Sequence, residues 1–187
     1  MGKIKVAIIG VGNCASSLVQ GIHEYVELPE DADVPGIMHA KMGDYRIEDI
    51  EVVAAFDIDQ NKVGKDVSEA IFTEPNNTLK FADVPHMGVT VERGMTHDGI
   101  GKYVSHLVKK SPHSTANITS ILKERKVDVV INYLPVGSEM ATKWYVEQIL
   151  EARCAMVNCI PVFIAKEEYW SKRFEERGVP IVGDDIK

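Results

Sequence analysis

Hydrophobic and polar positions along this chain form two alternating patterns, short apolar runs and longer stretches with helical spacing. Apolar runs predict buried strands at residues 5–9, 52–56, 89–91, 127–133, 155–158 and 179–182. Apolar positions three or four residues apart predict helices at residues 13–25, 59–72, 114–126, 137–152 and 165–177. Such an alternation is typical of a parallel sheet with helices on both faces. The pattern therefore predicts an α/β fold with a doubly wound parallel sheet, in one domain over residues 1–187.

Two stretches interrupt the alternation, at about residues 28–49 and 94–112. Both are rich in glycine or proline and are longer than the usual connection in an α/β domain. Insertions of this length commonly serve as lids, binding loops or contact surfaces. We therefore expect them to contribute to the functional site or to an interface.

Composition and charge narrow the choice of partners. The 187 residues carry 21 Lys and Arg against 28 Asp and Glu, a net charge of −7. An acidic chain without a basic block is a poor candidate for binding nucleic acid or an anionic membrane, and no apolar run approaches the length of a membrane span. The three cysteines are too few for a disulfide framework, which favours a reducing compartment and hence a cytoplasmic location.

A glycine-rich turn directly follows the first predicted strand. Gly10, Gly12 and Ala15 fit the pattern G-x-G-x-x-A between a strand and a helix. Gly10 permits the tight turn, Gly12 lets the backbone approach a pyrophosphate, and Ala15 allows close packing of the helix on the strand. This context predicts a dinucleotide-binding domain of the NAD(P)-binding Rossmann type, although a glycine turn can also simply connect a strand to a helix.

Asp57 ends the second predicted strand, where an acidic residue can accept hydrogen bonds from the adenosine ribose. Asp59 follows it, and the next basic residue is Lys62. A 2′-phosphate would therefore meet negative charge, which favours NAD over NADP. Asp57 could also cap the helix that follows, and the two roles are compatible.

The fourth predicted strand ends in a rigid turn that contains Leu134, Pro135 and Gly137. In a doubly wound sheet this turn should face the glycine-rich turn across the ligand-binding crevice, although spacing alone fits a plain connection equally well. The six histidines have no metal-ligand spacing, so no metal site is predicted. Cys14 is expected to be a small packing residue rather than a nucleophile.

Several segments together resemble inositol-3-phosphate synthases of the actinobacterial and archaeal type. They include Asn76-Asn77-Thr78 and Gly183-Asp184-Asp185-Ile186-Lys187, which are more specific than a glycine turn. The full set comprises residues 6–21, 34–39, 54–59, 76–78, 98–103, 133–139, 161–165 and 183–187. The segments occur in family order and cover essentially the whole chain.

The resemblance implies a reaction and a cofactor. The family converts glucose 6-phosphate to myo-inositol 3-phosphate with bound NAD, through oxidation at C5, enolisation, aldol closure and reduction of the ring ketone. It also implies a second domain that supplies most catalytic lysines and most of the interface of a homo-oligomer, generally a tetramer. That domain would follow residue 187, so we expect the 187-residue chain alone to lack synthase activity.

The resemblance further assigns roles to individual positions. Asp185 would be catalytic, beside the nicotinamide and the substrate, although as a residue near the end of the chain it could be an exposed acid. The positions that would contact NAD are Gly10, Gly12, Asn13, Cys14, Asp57, Asp66, Leu134, Pro135 and Tyr145.

Two other functions stay open at the level of sequence. One is a stand-alone NAD-binding module without catalysis. The other is a different NAD-dependent oxidoreductase that acts on a sugar phosphate or a homoserine-like substrate. Residues 76–78 and 98–103 argue against the second, since a generic dehydrogenase has no reason to carry them.

Overall fold

The computed structural model describes residues 2–26, 28–29, 32, 34, 36–101 and 104–186. Pro35, Lys102, Tyr103 and Lys187, which belong to the segments that carry the family resemblance, lie outside the described residues. The strands are β1 Ile4–Ile9, β2 Lys41–Met42, β3 Tyr45–Arg46, β4 Ile50–Asp57, β5 Val91–Arg93, β6 Val129–Asn132, β7 Ala155–Asn158 and β8 Ile181–Val182. The α-helices are α1 Asn13–Glu24, α2 Val67–Ala70, α3 Ile118–Glu124, α4 Glu139–Ala152 and α5 Glu168–Arg177.

Six strands form one parallel sheet in the order β5-β4-β1-β6-β7-β8. The chain starts at the centre with β1, adds β4 and β5 on one side, and then returns to add β6, β7 and β8 on the other. Strand order therefore reverses between β1 and β6, which defines the switch point of a doubly wound sheet. The fold class predicted from the sequence is confirmed.

Two apolar clusters cover the two faces of the sheet. Ala7 and Ile9 of β1 belong to the cluster under α3, α4 and α5, whereas Val6 and Ile8 belong to the cluster under α1 and α2. All four side chains are at most 4% exposed, as expected for a strand that is covered on both faces. The double burial explains why residues 6–9 of this strand are all apolar rather than alternating.

The helix predicted over residues 59–72 is wrong in extent, because only Val67–Ala70 is helical. Residues 59–66 instead make main-chain hydrogen bonds with β5. Gly64 N–H donates to Val91 O, and Val91 N–H donates to Lys65 O. Gly64 has φ 90°, a left-handed conformation that breaks a helix. Asp66 then caps α2 through a hydrogen bond from Ser68 N–H.

Two further helices, α3 and α5, begin three or four residues later than predicted, for identifiable reasons. Asn117 rather than Ser114 caps α3, since its side chain accepts a hydrogen bond from Ser120 N–H. The α5 helix begins at Glu168 instead of residue 165, because the N–H groups of residues 164–166 donate to the Asp184 carboxylate. Contacts distant in sequence thus set helix bounds that local periodicity cannot specify.

The two insertions differ in structure. Within the described part of residues 28–49, β2 and β3 form a small hairpin that is followed by a short 3-10 turn at Ile47–Asp49. The 94–112 insertion crosses the carboxyl edge of the main sheet and is tied to the end of β4. There Gln60 N–H donates to Lys109 O at 2.8 Å, and Ser111 N–H donates to Ile58 O at 2.7 Å. The second insertion therefore forms part of the wall above the switch point.

Candidate functional site

A cavity of ≈ 240 Å³ lies at the carboxyl ends of β1, β4 and β6, at the switch point of the sheet. Pockets for small ligands commonly measure about 300–1,000 Å³, so this cavity encloses only part of a dinucleotide. A larger and more open groove of ≈ 570 Å³ lies at the opposite edge, beside Lys5 and Ile50. Open α/β sheets bind ligands at the carboxyl edge, and we therefore assign the site to the smaller cavity.

The glycine-rich turn forms one wall of this cavity. Gly10 has φ 89°, and a Cβ at this position would lie 2.8 Å from the carbonyl oxygen of Tyr133. Gly12 differs, because a Cβ there would meet no atom within 4 Å. Gly10 is thus required by the close approach of β6, whereas Gly12 keeps the space in front of the turn open.

The N-terminus of α1 opens on this space. Gly12 is its N-cap residue and provides no side chain to accept from the first N–H groups of the helix. These groups have no partner within a helix, and together with the helix dipole they favour an anion. By contrast, the N-terminus of α4 is capped by the Asp98 carboxylate, which accepts hydrogen bonds from Met140 N–H and Ala141 N–H. The uncapped end of α1 fits a pyrophosphate.

Asp57 connects the end of β4 to the glycine-rich turn. Its Oδ2 accepts from Val11 N–H at 2.7 Å, and its Oδ1 accepts from Ile58 N–H and Asp59 N–H at 2.7 and 2.9 Å. An ionised carboxylate offers about four acceptor positions, so one remains for a ribose hydroxyl. Asp57 therefore caps a turn rather than a helix and can still bind a ribose.

A buried lysine joins the glycine-rich turn to the segment that follows α2. Lys62 is 4% exposed, and its Nζ donates to Val11 O at 2.8 Å and to Asn76 Oδ1 at 2.7 Å. Burial lowers the pKa of Lys62, while the nearby charges of Asp57 and Asp59 act in the opposite direction. The ammonium group thus holds two walls of the cavity together.

Asn13 makes a second connection to the same segment. Its Oδ1 accepts from Asn77 N–H at 2.9 Å and from Thr78 Oγ1 at 2.9 Å, and its Nδ2 donates to Asn77 Oδ1 at 2.8 Å. The side chain is consequently engaged in positioning residues 76–78. Its main-chain N–H stays at the start of α1, where an anion would bind.

The 94–112 insertion packs against α4. Tyr145 Oη accepts a hydrogen bond from Met95 N–H at 3.2 Å, and a Cβ on Gly94 would collide with this oxygen. Burial raises the pKa of Tyr145, so its hydroxyl stays neutral. Burial also acts to raise the pKa of Asp98, but the hydrogen bonds from the N–H groups of Ala141 and Met140 outweigh it and lower the pKa.

Two buried polar atoms in the cavity walls accept or donate no hydrogen bond within the described part of the chain, Asp59 Oδ2 and Ser138 Oγ. Both residues are 1% exposed and both line the cavity. Buried polar groups are nearly always paired, because leaving one unpaired costs about 1–3 kcal/mol. A polar ligand in the cavity that reached Asp59 Oδ2 or Ser138 Oγ would relieve this cost.

The segment around Asp185 is fixed by the hydrogen bonds of the preceding residue, Asp184. Asp184 Oδ1 accepts from Asn158 Nδ2 at 2.7 Å, and Asn158 Oδ1 accepts from Asn132 Nδ2 at 2.9 Å. Asp185 has φ 59°, and its N–H donates to Ile160 O at 3.2 Å. This polar chain across β6 and β7 fixes the segment at the carboxyl edge of the sheet.

The structure brings most of the expected residues together. Those that line the cavity are Gly10, Gly12, Asn13, Asp57, Leu134, Pro135 and Tyr145. Cys14, Asp66 and Asp185 are not among the lining residues. The carboxylate of Asp66 instead accepts from the N–H groups of Ser68, Met87 and Val89, which joins α2 to the segment before β5.

Sequence reasoning missed several residues of the site. Lys62 and Asp59 were considered only as charges near the ribose, and Ser138 and Asp98 only as members of motifs. Their position directly after strands or at a helix start is a weak signal in the sequence. Burial singles out Asp59, Lys62 and Ser138, and the capping of α4 singles out Asp98. The sequence shows neither property, because both depend on contacts between distant segments.

A parallel sheet with its switch point beside a glycine-rich turn and an uncapped helix defines a Rossmann-like α/β domain. No family model matches the chain. Inositol-3-phosphate synthase of Mycolicibacterium smegmatis is 55% identical over 186 residues, 100% of this chain and 51% of that protein. The enzymes of the same name from Mycobacterium tuberculosis and Corynebacterium glutamicum are 52% and 49% identical, over 99% and 98% of this chain and 50% and 51% of theirs.

The chain belongs to the inositol-3-phosphate synthase family and spans about half the length of these relatives. The crystal structure of Ari2 is also similar, with a TM-score of 0.83 and 35% identity over 99% of this chain and 55% of that one. A myo-inositol-1-phosphate synthase-related protein from Thermotoga maritima shares the fold, with a TM-score of 0.72 and 20% identity over 98% and 55% of the two chains. Among the described residues, no helix is both long and apolar enough to cross a bilayer.

Proposed function

We propose that this chain is the NAD-binding part of an enzyme that converts glucose 6-phosphate to myo-inositol 3-phosphate. The observation that carries the proposal is the cavity at the switch point, bounded by the open glycine-rich turn, the acidic end of β4 and the unpaired Asp59 Oδ2. Family membership supplies the reaction class. NAD, when bound, supplies the hydride acceptor for oxidation at C5 and the hydride donor for reduction of the ring ketone.

The residues of the cavity bind and orient the cofactor in this proposal. The N–H groups at the start of α1, with Gly12 leaving room, hold the pyrophosphate, and Asp57 accepts a ribose hydroxyl. Leu134 and Pro135 contact the cofactor from the turn after β6, and Tyr145 supports the wall through its hydrogen bond to Met95 N–H. A neutral tyrosine and apolar walls exclude water from the buried part of the cavity.

The charges around β4 favour NAD over NADP. Asp57 and Asp59 carry two negative charges in this corner, and the buried cation beside them, Lys62, is held by Val11 O and Asn76 Oδ1. A 2′-phosphate would have to displace Lys62 from these acceptors or face both carboxylates. We expect the second phosphate to weaken binding.

The remaining roles rest on the family alone. Asp185 is proposed as a catalytic residue near the substrate, and Asp66 and Cys14 as further cofactor-contacting positions. The complete enzyme is proposed to act in the cytoplasm as a homo-oligomer, a tetramer, with glucose 6-phosphate as substrate. The half of the relatives that this chain does not span is proposed to supply the catalytic lysines, so the 187-residue chain should lack synthase activity.

The test is titration of the purified chain with NAD and, in parallel, NADP by calorimetry. We expect saturable binding of NAD and at least about tenfold weaker binding of NADP, a difference of about 1.4 kcal/mol. A folded chain that binds neither dinucleotide would contradict the proposal. The alternative of a stand-alone NAD-binding module predicts the same titration, and it is separated by joining the missing half and assaying inositol phosphate formation.

A further inference from the structure

The corner of the cavity beyond β4 contains a feature that pyrophosphate and ribose binding leave unexplained. Asp59 is 1% exposed, and its Oδ1 accepts from Asn61 N–H at 2.9 Å. Its Oδ2 is buried and accepts no hydrogen bond within the described part of the chain. In the proposed function, on which the inference below rests, this cavity binds NAD.

The position of Asp59 Oδ2 is fixed by its surroundings. The main chain of Asp59 forms a bridge with Lys110 of the 94–112 insertion, and Gln60 N–H donates to Lys109 O. Because Asn61 N–H holds Oδ1, the carboxyl group cannot rotate to pair Oδ2 without losing that hydrogen bond. Burial, followed by the charge of Asp57, raises the pKa of Asp59. A group that donates a hydrogen bond to Oδ2 would relieve this unfavourable burial.

The nearby ammonium group of Lys62 makes no hydrogen bond with Oδ2 of Asp59. Lys62 Nζ donates to Val11 O and Asn76 Oδ1 rather than to Asp59. The corner is therefore suited to a neutral donor on a ligand, and a further anion would be repelled by Asp57 and Asp59. A ribose hydroxyl is one neutral donor, but Asp57 already offers it an open acceptor position beside the glycine-rich turn.

The other walls of this corner suit a flat ring. Ile58, Pro75 and Val108 line the cavity around Asp59, and their side chains are apolar. Mostly apolar walls with a small number of fixed polar groups are the usual way in which a small-molecule site sets orientation and specificity. Adenine matches this arrangement, since it has two flat faces and its exocyclic 6-amino group donates hydrogen bonds.

We propose that Asp59 recognises the base of the dinucleotide, with Oδ2 accepting a hydrogen bond from the 6-amino group of adenine. The site then discriminates against a base that carries an oxygen at C6. Such a base would place an acceptor oxygen against Oδ2, where the 6-amino group of adenine places a donor, while Oδ1 keeps its hydrogen bond from Asn61 N–H. A hydrogen bond to a charged group contributes enough to make binding roughly 10- to 100-fold weaker when it is lost.

The experiment compares NAD with nicotinamide hypoxanthine dinucleotide, which differs by an oxygen in place of the 6-amino group. Calorimetric titration of the wild-type chain should show about 10- to 100-fold weaker binding of the hypoxanthine compound. In Asp59→Asn, the side-chain oxygen can still accept from Asn61 N–H, while an amide N–H₂ replaces Oδ2. This variant should reverse the preference, because its new donor pairs with the C6 oxygen.

Asp83→Asn is the matched control, since it removes the same charge from a side chain that is 95% exposed. It should keep the wild-type preference. Equal binding of both dinucleotides to the wild type would overturn the inference and leave the proposed function intact. Failure of the folded wild type to bind NAD would overturn both. An unchanged preference in Asp59→Asn would also overturn the inference, and if this variant does not fold, the wild-type comparison decides.

Discussion

Gly10 and Gly12 stand two residues apart in one turn and are needed for different physical reasons. Gly10 adopts φ 89° and lies against the main chain of Tyr133, so any side chain there would be strained and would collide with the turn that follows β6. Gly12 has φ −94° and ψ −161°, an extended conformation that alanine adopts readily. Gly10 therefore serves the fold, whereas Gly12 serves the space in which we propose the pyrophosphate binds.

Replacement of Gly12 by alanine separates binding from folding. The new methyl group meets no protein atom within 4 Å, so Gly12→Ala should keep the thermal stability of the wild type. The same methyl group would intrude on a bound pyrophosphate, at a cost of about 1–3 kcal/mol, which weakens NAD binding about 5- to 150-fold. Calorimetric titration and a thermal melt measure the two quantities.

The control for this change lies on the same helix. A Cβ on Gly21 would contact the Tyr25 ring at 3.8 Å, an ordinary packing distance. Gly21→Ala should therefore leave NAD affinity unchanged and stabilise α1 by about 0.5–1 kcal/mol. Equal NAD affinity in Gly12→Ala and Gly21→Ala would show that the turn does not hold the pyrophosphate.

At the level of elements, periodicity predicted which segments are strands and helices more successfully than where they end. β1 and β4 are doubly buried, so their apolar runs are unambiguous. The segment at residues 59–66 has helical spacing, but it is hydrogen-bonded to β5 and its direction changes at Gly64, which has a positive φ. The start of α5 depends on Asp184, which lies 20 residues from Ile164. Such long-range hydrogen bonds carry no local signal in the sequence.

The candidate site could likewise be predicted in part: the strand ends follow from the sequence, whereas the burial of individual side chains does not. Strands in a parallel sheet end at a common edge, so the glycine-rich turn, Asp57 and residues 134–135 could be expected to meet. Asp59, Ser138 and Lys62 could not be singled out, because their importance depends on burial among segments that are distant in sequence. A sequence reveals that an acid follows a strand, but not that one of its oxygens lacks a partner.

The contact between the 94–112 insertion and α4 can be tested by replacing Asp98. The Asp98 carboxylate caps the helix by accepting from two N–H groups, at 2.7 and 2.9 Å. Asp98→Ala should lower the free energy of unfolding by about 0.5–2 kcal/mol at pH 7, measured by urea denaturation. Asp83→Ala, on an exposed side chain, should change it by less than about 0.5 kcal/mol.

The effect of Asp98 should depend on pH in a defined direction. The pKa of Asp98 is lowered in the folded chain, so its contribution is complete above the unfolded pKa and is lost as pH falls through the folded pKa. The difference between wild type and Asp98→Ala should therefore shrink as the pH decreases from about 5 towards 2. A difference that stays constant over this range would mean that the ionised carboxylate does not provide the cap.

For the molecule as a whole, three segments distant in sequence converge on one cavity. The glycine-rich turn follows β1, residues 58–62 follow β4, and the 94–112 insertion closes the space between the end of β4 and the start of α4. Lys62 and Asn13 bind the turn to residues 76–78, and Asp98 binds the insertion to α4. A ligand in this cavity would contact all three segments. Its binding should therefore raise the free energy of unfolding of the whole chain.

This linkage predicts that NAD raises the unfolding temperature of the isolated chain. At a concentration 100 times its Kd, a ligand that binds only the folded state adds about 2.7 kcal/mol to the free energy of unfolding. In a domain of this size each kcal/mol corresponds to about 2–4 °C, so the expected shift is roughly 5–11 °C, measured by differential scanning calorimetry. NADP at the same concentration should give a smaller shift, and Gly12→Ala should reduce the shift by NAD. Equal shifts by NAD and NADP would mean that Asp57 and Asp59 do not select the ribose, whereas no shift by either would mean that the three segments do not together form a dinucleotide site.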